Sequence, residues 1–249
     1  MQPTDKSMRL LSPRMYHRTD GVIVTGFLPF LQLIIRHDNY LQKLAKMGFI
    51  DPSHIDLTKL SEEGVNEKQR ESYCMDMAME AIGVFLRKVM QPQPWIQERV
   101  DNVLNPLKPN YLIGMHIRMG KTGGTFKDTH AFLQSNEISR FSNQAEIHIK
   151  GVNKTIDQTR WVVCTDADQA ENILRNRYGD VIVTSQDFHR GHSKTGAKDP
   201  DGFSRAVIDL LLLSHCDYQI LTSHSTYSVI ARTMRKEGAL FYMTPSRGY

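Results

Sequence analysis

After Pro109 the sequence alternates short apolar runs with stretches of helical period, and that alternation leaves few folds open to it. The runs are Tyr111 to Ile117, Trp161 to Cys164, Val181 to Val183, Tyr218 to Leu221 and Leu240 to Tyr242. Strands that are apolar on both faces must be covered on both sides, and the helical stretches between them are the natural crossovers of a parallel sheet. Helices are expected over Asp168 to Tyr178, with Ala170, Ile173, Leu174 and Tyr178 on one face, over Phe203 to Cys216, and over Ser225 to Arg235. Residues 106–249 therefore read as a Rossmann-like α/β domain.

The residues before it have a different texture. A short strand is expected at Gly21 to Val24, then a helix that Pro29 opens and that runs to Met47. From Asn66 to Met90 the apolar residues Met75, Met79, Ile82, Phe85, Leu86 and Val89 recur at helical spacing. Gln91-Pro-Gln-Pro94 ends that helix, and Pro94 starts another over Trp95 to Leu104. Residues 1–105 thus form a mainly helical N-terminal region. Asp187 to Gly202, rich in Gly, His and basic residues, is the expected mobile loop, with His189 and His192 solvated.

Composition removes several classes of function. The 31 basic and 27 acidic residues leave a net charge of +4, spread without blocks, which does not make a nucleic-acid-binding stripe. Cys74, Cys164 and Cys216 are too scattered for a disulfide framework or a zinc site and read as buried thiols. The most apolar stretch, Gly21 to Ile35, is broken by Pro29 and Gln32, whereas a membrane span needs roughly 20 apolar residues. No membrane span is expected, and Met1 to Arg14 lacks the order of a secretory signal.

In a parallel sheet, ligands gather beyond the carboxyl ends of the strands, so the residues after each apolar run are the candidates for chemistry. His116, Arg118, Gly120, Lys121, Gly123 and Gly124 leave the first run. His116 and Arg118, two apart, project to one face of a strand and can converge on an anion, or they simply make structural hydrogen bonds there. The segment is not a P-loop: five residues separate Gly114 from Gly120, where that motif has four. Asp166 and Asp168 follow the second run. As an Asp-x-Asp pair they suit a divalent metal with a nucleotide diphosphate, but Asp168 also suits the N-cap of the next helix, which leaves Asp166 as the ligand contact. Asp209 sits in a helix apolar on nearly every side and needs a partner there, either a buried Arg or a ligand with a cation around it. Thr222 to Tyr227, with Ser225, Thr226 and Tyr227, ends a strand and opens a helix, which makes either an anion site or an ordinary Ser cap.

These groups, in this order, resemble the donor half of fucosyltransferases of the α1,6 and peptide-O types and the bacterial Nod-factor enzymes, most closely the α1,6 type. The likeness runs from about Asn66 to Tyr249 and is carried by Gln91-Pro-Gln-Pro-Trp95, Ile113-Gly-Met-His-Ile-Arg118, Cys164-Thr-Asp166, Val207-Ile-Asp-Leu-Leu-Leu-Leu-Ser-His-Cys-Asp217 and Ser225-Thr-Tyr-Ser228. The resemblance implies a GT-B fold, of which residues 106–249 would be the donor-binding half. It also implies inverting, metal-independent transfer of fucose from GDP-fucose to a glycan or protein hydroxyl, with no cofactor beyond that donor. It gives Arg118 the catalytic role. His116, Gly120, Lys121, Asp166, Asp209, Ser225, Thr226 and Tyr227 would bind the donor, with Asp209 on the guanine and Ser225 and Thr226 on the phosphates. A Golgi or endoplasmic reticulum lumen location is implied by the family alone.

The chain departs from that pattern after Arg118. The α1,6 enzymes continue with a second Arg and an acidic residue, whereas this sequence continues Met119-Gly-Lys121, with Asp128 the nearest downstream carboxylate. The general base is therefore unassigned. The hundred or so residues before the donor half are short for a complete acceptor half, and neither a membrane anchor nor a C-terminal SH3-like extension is expected, as in a partial chain. Two other readings stand beside transfer: a GDP-sugar-binding module without activity, and a metal-dependent nucleotide or phosphoryl-transfer enzyme using Lys121, Thr122 and the Asp166/Asp168 pair.

Overall fold

The computed structural model describes residues 38–50, 52–56, 67–89, 91–121, 131–186, 188–191, 199–223, 225–235 and 239–244. The chain divides into two compact units, Met1–Phe85 and Leu86–Tyr249. The first contains helix α1 (Asp38–Lys46) and most of α2 (Glu67–Val89). Tyr73 on α2 accepts the Asp56 amide at 2.7 Å with its hydroxyl oxygen. The strand expected at 21–24 and the start of the helix expected from Pro29 lie outside the described residues.

The second unit takes in α3 (Pro94–Leu104) and the last turn of α2 as well as residues 106–249. Its strands are β1 (Tyr111–Ile117), β2 (Thr159–Thr165), β3 (Ile182–Val183), β4 (Tyr218–Thr222) and β5 (Ala239–Met243), and its further helices are α4 (Ile138–Gly151), α5 (Asp168–Tyr178), α6 (Pro200–Ser214) and α7 (Thr226–Met234). All five strands are parallel, in the order β3-β2-β1-β4-β5. The chain builds outward from β1 in one direction to β3, then returns to the other side of β1 with β4. That reversal puts a topological switch point between the carboxyl ends of β1 and β4.

Register sorts the side chains by face. Ile113, Trp161 and Tyr218 form one row across β1, β2 and β4, and Met115, Val163 and Ile220 form the next on the same face. They make one core with Ile138, Phe141, Ala145 and Ile149 of α4 and Ala170 and Leu174 of α5. The opposite face carries the rows Gly114, Val162, Gln219 and His116, Cys164, Leu221. A Cβ at Gly114 would stand 3.0 Å from both Cys216 Sγ and Leu213 Cδ2, so a missing side chain is what lets α6 lie this close to β1. Cys74, Cys164 and Cys216 are buried free thiols, as their scatter predicts.

Two elements differ from expectation. The α4 helix was not anticipated, although Ile138, Phe141, Ala145 and Ile149 recur at helical spacing and are all buried. And α6 begins at Pro200, with the Asp199 side chain accepting the Gly202 amide at 3.0 Å, so the end of the segment expected to be a loop is a capped helix start. Among the described residues no helix is long and apolar enough to cross a membrane.

Candidate active site at the carboxyl ends of the strands

The β1 strand runs out into a turn built around Asp166. Asp166 follows β2 and is buried; its Oδ1 accepts the Met119 amide and its Oδ2 the Gly120 amide, both at 2.8 Å. The same Oδ2 lies 3.3 Å from Arg118 Nη1. Gly120 turns the chain with φ 63°, a conformation that glycine adopts without steric cost, and bridges to Ala131. The returning segment lies alongside, with the Phe132 amide bonded to Met119 O and the Phe132 ring 5.7 Å from the Arg118 guanidinium. Asp166, the expected ligand contact in the crevice, uses its two oxygens to hold the β1 turn and to face Arg118.

Thr222 at the end of β4 ties the two sides of the switch point together. Its hydroxyl donates to His116 O at 2.8 Å and accepts the Arg118 amide at 3.0 Å. Immediately beyond it, Ser223 Oγ is buried with no hydrogen-bond partner among the described residues. Ser225 precedes α7, is buried, and does not cap the helix with its side chain. Thr226, the first residue of α7, is exposed. Helix geometry leaves the first amides of α7 without intrahelical acceptors, so this corner concentrates donors.

His116 does not project outward with Arg118 but packs back under α7. Its Nδ1 shares a 2.6 Å hydrogen bond with Ser228 Oγ, and its ring lies 4.7 Å from that of Tyr227. Burial, with Arg118 adding to it, pushes the His116 pKa down to about 3, so the ring is neutral at ordinary pH. Tyr227 in turn donates its hydroxyl to Ala206 O of α6 at 2.6 Å. Both residues therefore brace α7 against β1 and α6.

The carboxylate of Asp209 has its partners within the protein. Arg205, one helical turn earlier, places Nε 3.5 Å from Oδ2, and the Ser185 hydroxyl donates to Oδ1. Burial raises the Asp209 pKa, an effect that Arg205 and Ser185 oppose. Of the two partners expected for Asp209, the buried arginine is present. Cys164 Sγ donates to Asp209 O at 3.4 Å, which fastens this part of α6 over β2.

A residue that sequence reasoning passed over closes the β2 side. Arg190 donates from Nε to Thr165 O at 2.9 Å, and from its two terminal nitrogens to the carboxylates of Asp168 and Glu171. Asp168 is the first residue of α5 rather than its cap, since Ala167 holds the N-cap position and its amide bonds Thr165 Oγ1. Asp166 and Asp168 thus face different partners, and among the described residues no three His, Cys, Asp or Glu gather as a metal-binding group. His189 is not simply solvated, because its Nε2 lies 2.7 Å from Asp199 Oδ1. Lys121 is exposed at the end of the described β1 turn, while Thr122, Gly123, Gly124, Asp128, His192 and His224 lie outside the described residues.

Fold and cluster together define a Rossmann-like α/β protein in which Arg118 leaves β1 and the N-terminus of α7 follows β4, on the two sides of the switch point of its sheet. The family model for Nodulation protein Z (NodZ) matches residues 72–248, and the chain belongs to that family. No curated protein matches the chain. Similar solved structures include fucosyltransferase NodZ from Bradyrhizobium, at 17% identity, covering 69% of this chain and 48% of that one with a TM-score of 0.38. They include NodZ α1,6-fucosyltransferase soaked with GDP-fucose, at 15% identity, 90% and 65% coverage and a TM-score of 0.40. The apo-form of POFUT1 is similar at 13% identity, with 61% and 46% coverage and a TM-score of 0.37. The chain thus spans from about half to just under two thirds of the length of these proteins.

Proposed function

We propose that the chain binds GDP-fucose at the β1/β4 switch point and belongs to an enzyme that transfers fucose to a hydroxyl of a glycan or protein. The observation that carries this reading is the Thr222 hydroxyl at the switch point: it accepts the backbone amide of Arg118, whose guanidinium lies beside Asp166, and Thr222 leads directly into the donor-rich start of α7 with Ser223 and Ser225. A nucleoside diphosphate leaving a sugar needs just such fixed donors where charge develops. Family membership supports the choice of donor, since solved proteins of the NodZ name are described as fucosyltransferases, one of them soaked with GDP-fucose.

In this reading the second unit is the donor-binding half of a GT-B enzyme. The acceptor oxygen attacks the anomeric carbon from the face opposite GDP, so the configuration inverts. The bond from that carbon to the phosphate oxygen breaks with its electron pair going to GDP, and Arg118 with the α7 amides receives the charge, without a metal. The acceptor proton goes to a base; His116, with its pKa near 3, does not suit that role at neutral pH. Gly120 and Lys121 border the phosphates, Ser225 and Thr226 bind them, and Tyr227 supports the same wall. Asp209, already paired with Arg205, reaches the guanine as part of that pair.

A thermal-shift panel of GDP, ADP, UDP and their sugars tests the donor class. Ligand at about 100 times its Kd stabilises the folded state by roughly 2.7 kcal/mol, so a GDP-selective rise in Tm is expected. Equal shifts with all nucleotides, or none with GDP, would remove the reading. Transfer abolished by a chelator would remove the metal-free step.

A further inference from the structure

We propose that Arg190 is a positioning residue for Arg118, acting through the turn that carries Asp166. The inference rests on the proposed function only in giving Arg118 the catalytic role. Three separate acceptors hold one guanidinium: the Thr165 carbonyl at the end of β2, and the Asp168 and Glu171 carboxylates in the first turn of α5. Glu171 is itself fixed, accepting from Arg175 Nη2 at 3.0 Å and Thr184 Oγ1 at 3.1 Å through its other oxygen. The Arg190 side chain is 11% exposed, so its bonds to the Thr165 carbonyl and to Glu171 are sheltered from competition by water, while the one to Asp168 lies at the surface.

The Thr165 carbonyl and the Asp166 amide belong to one planar peptide group. A bond to Thr165 O therefore fixes the plane from which the Asp166 side chain rises. Asp166 passes that constraint across to β1, where it holds the Met119 and Gly120 amides and the Arg118 guanidinium. On its other side, Arg190 is anchored to α6, because Arg205 Nη1 donates to Phe188 O at 2.8 Å. A polar network thus runs from Asp209 and Arg205, through the 188–191 segment, to Asp166 and Arg118. Only arginine can serve three acceptors in one plane; lysine offers a single nitrogen.

The test compares Arg190→Lys with the full wild-type chain, and adds Asp168→Asn, which removes the charge of one acceptor at a position 63% exposed and so threatens folding less. Amide exchange at Met119 and Gly120 is expected to quicken about tenfold in Arg190→Lys and less in Asp168→Asn, while Ile113 and Met115 exchange as before. The kcat for GDP-fucose transfer is expected to fall at least about tenfold, with its KM within about twofold. Unchanged exchange at Met119 and Gly120 would overturn the proposal, and so would equal acceleration at Ile113 and Met115, which signals general destabilisation. Should the wild type transfer no fucose, the functional reading fails and the exchange rates still decide the positioning role.

Discussion

Asp166 stands 3.3 Å from Arg118 while both its oxygens accept amides of the residues that follow Arg118. One carboxylate therefore sets the position of the β1 turn and the direction of the guanidinium that leaves it. An Asp166→Asn change keeps the shape, removes the charge, and turns a donor toward an amide that needs an acceptor. The expected loss is about 2–4 kcal/mol of stability, read as a lower urea midpoint. A change below about 0.5 kcal/mol would mean that the turn holds without Asp166.

Arg118→Lys keeps the positive charge beside Asp166 and loses the planar fork. The fold should persist while fucose transfer falls by about 100-fold, the usual effect of losing one donor to a developing anion. Single-turnover rates with GDP-fucose measure this directly. A wild-type rate in this variant would take Arg118 out of the chemistry.

His116 makes stability depend on pH. Its folded pKa of about 3 lies below the usual histidine value, so between the two the unfolded chain takes up a proton that the folded chain refuses. Stability should fall by up to about 1.4 kcal/mol for each pH unit below about 6.5, levelling off near pH 3. Asp209, whose pKa is raised by burial, pulls the other way in the acid range. Subtracting the profile of His116→Gln cancels that contribution, and urea midpoints at pH 7, 5.5 and 4.5 supply both curves. Parallel wild-type and variant profiles would show that the ring is not held neutral.

Gly114→Ala places a methyl against Cys216 and Leu213 in a packed layer between β1 and α6. A cost of about 1–3 kcal/mol is expected from denaturant unfolding, with partial recovery in a Gly114→Ala, Cys216→Ala double variant. Full stability in the single variant would show that α6 can move away freely.

Much of the fold is legible along the chain. The five strands are legible as short, bounded apolar runs around Ile113, Trp161, Ile182, Ile220 and Phe241; the central ones, β1, β2 and β4, are buried nearly throughout and so must be apolar on both faces. The α4 helix escaped notice because its four inward residues are diluted by Ser, Asn, Gln, Glu, His and Lys. Its period is visible only once its buried face is known.

The candidate site was legible in part. His116, Arg118 and Ser225 stand at strand ends, where position alone draws attention. The direction each side chain takes is not legible there: His116 packs under α7, and Asp166, at the end of β2, bonds across to the β1 turn.

What the sequence determined by itself was local: helical and extended periods, and the motifs from which the family can be recognised. What only the tertiary structure decided was pairing. Arg118 meets Thr222 across a sequence separation of 104, Asp166 meets Met119 across 47, and Arg190 reaches Thr165 across 25. Propensity and periodicity act over a few residues, whereas a buried charge takes whichever partner the packed layers bring within reach.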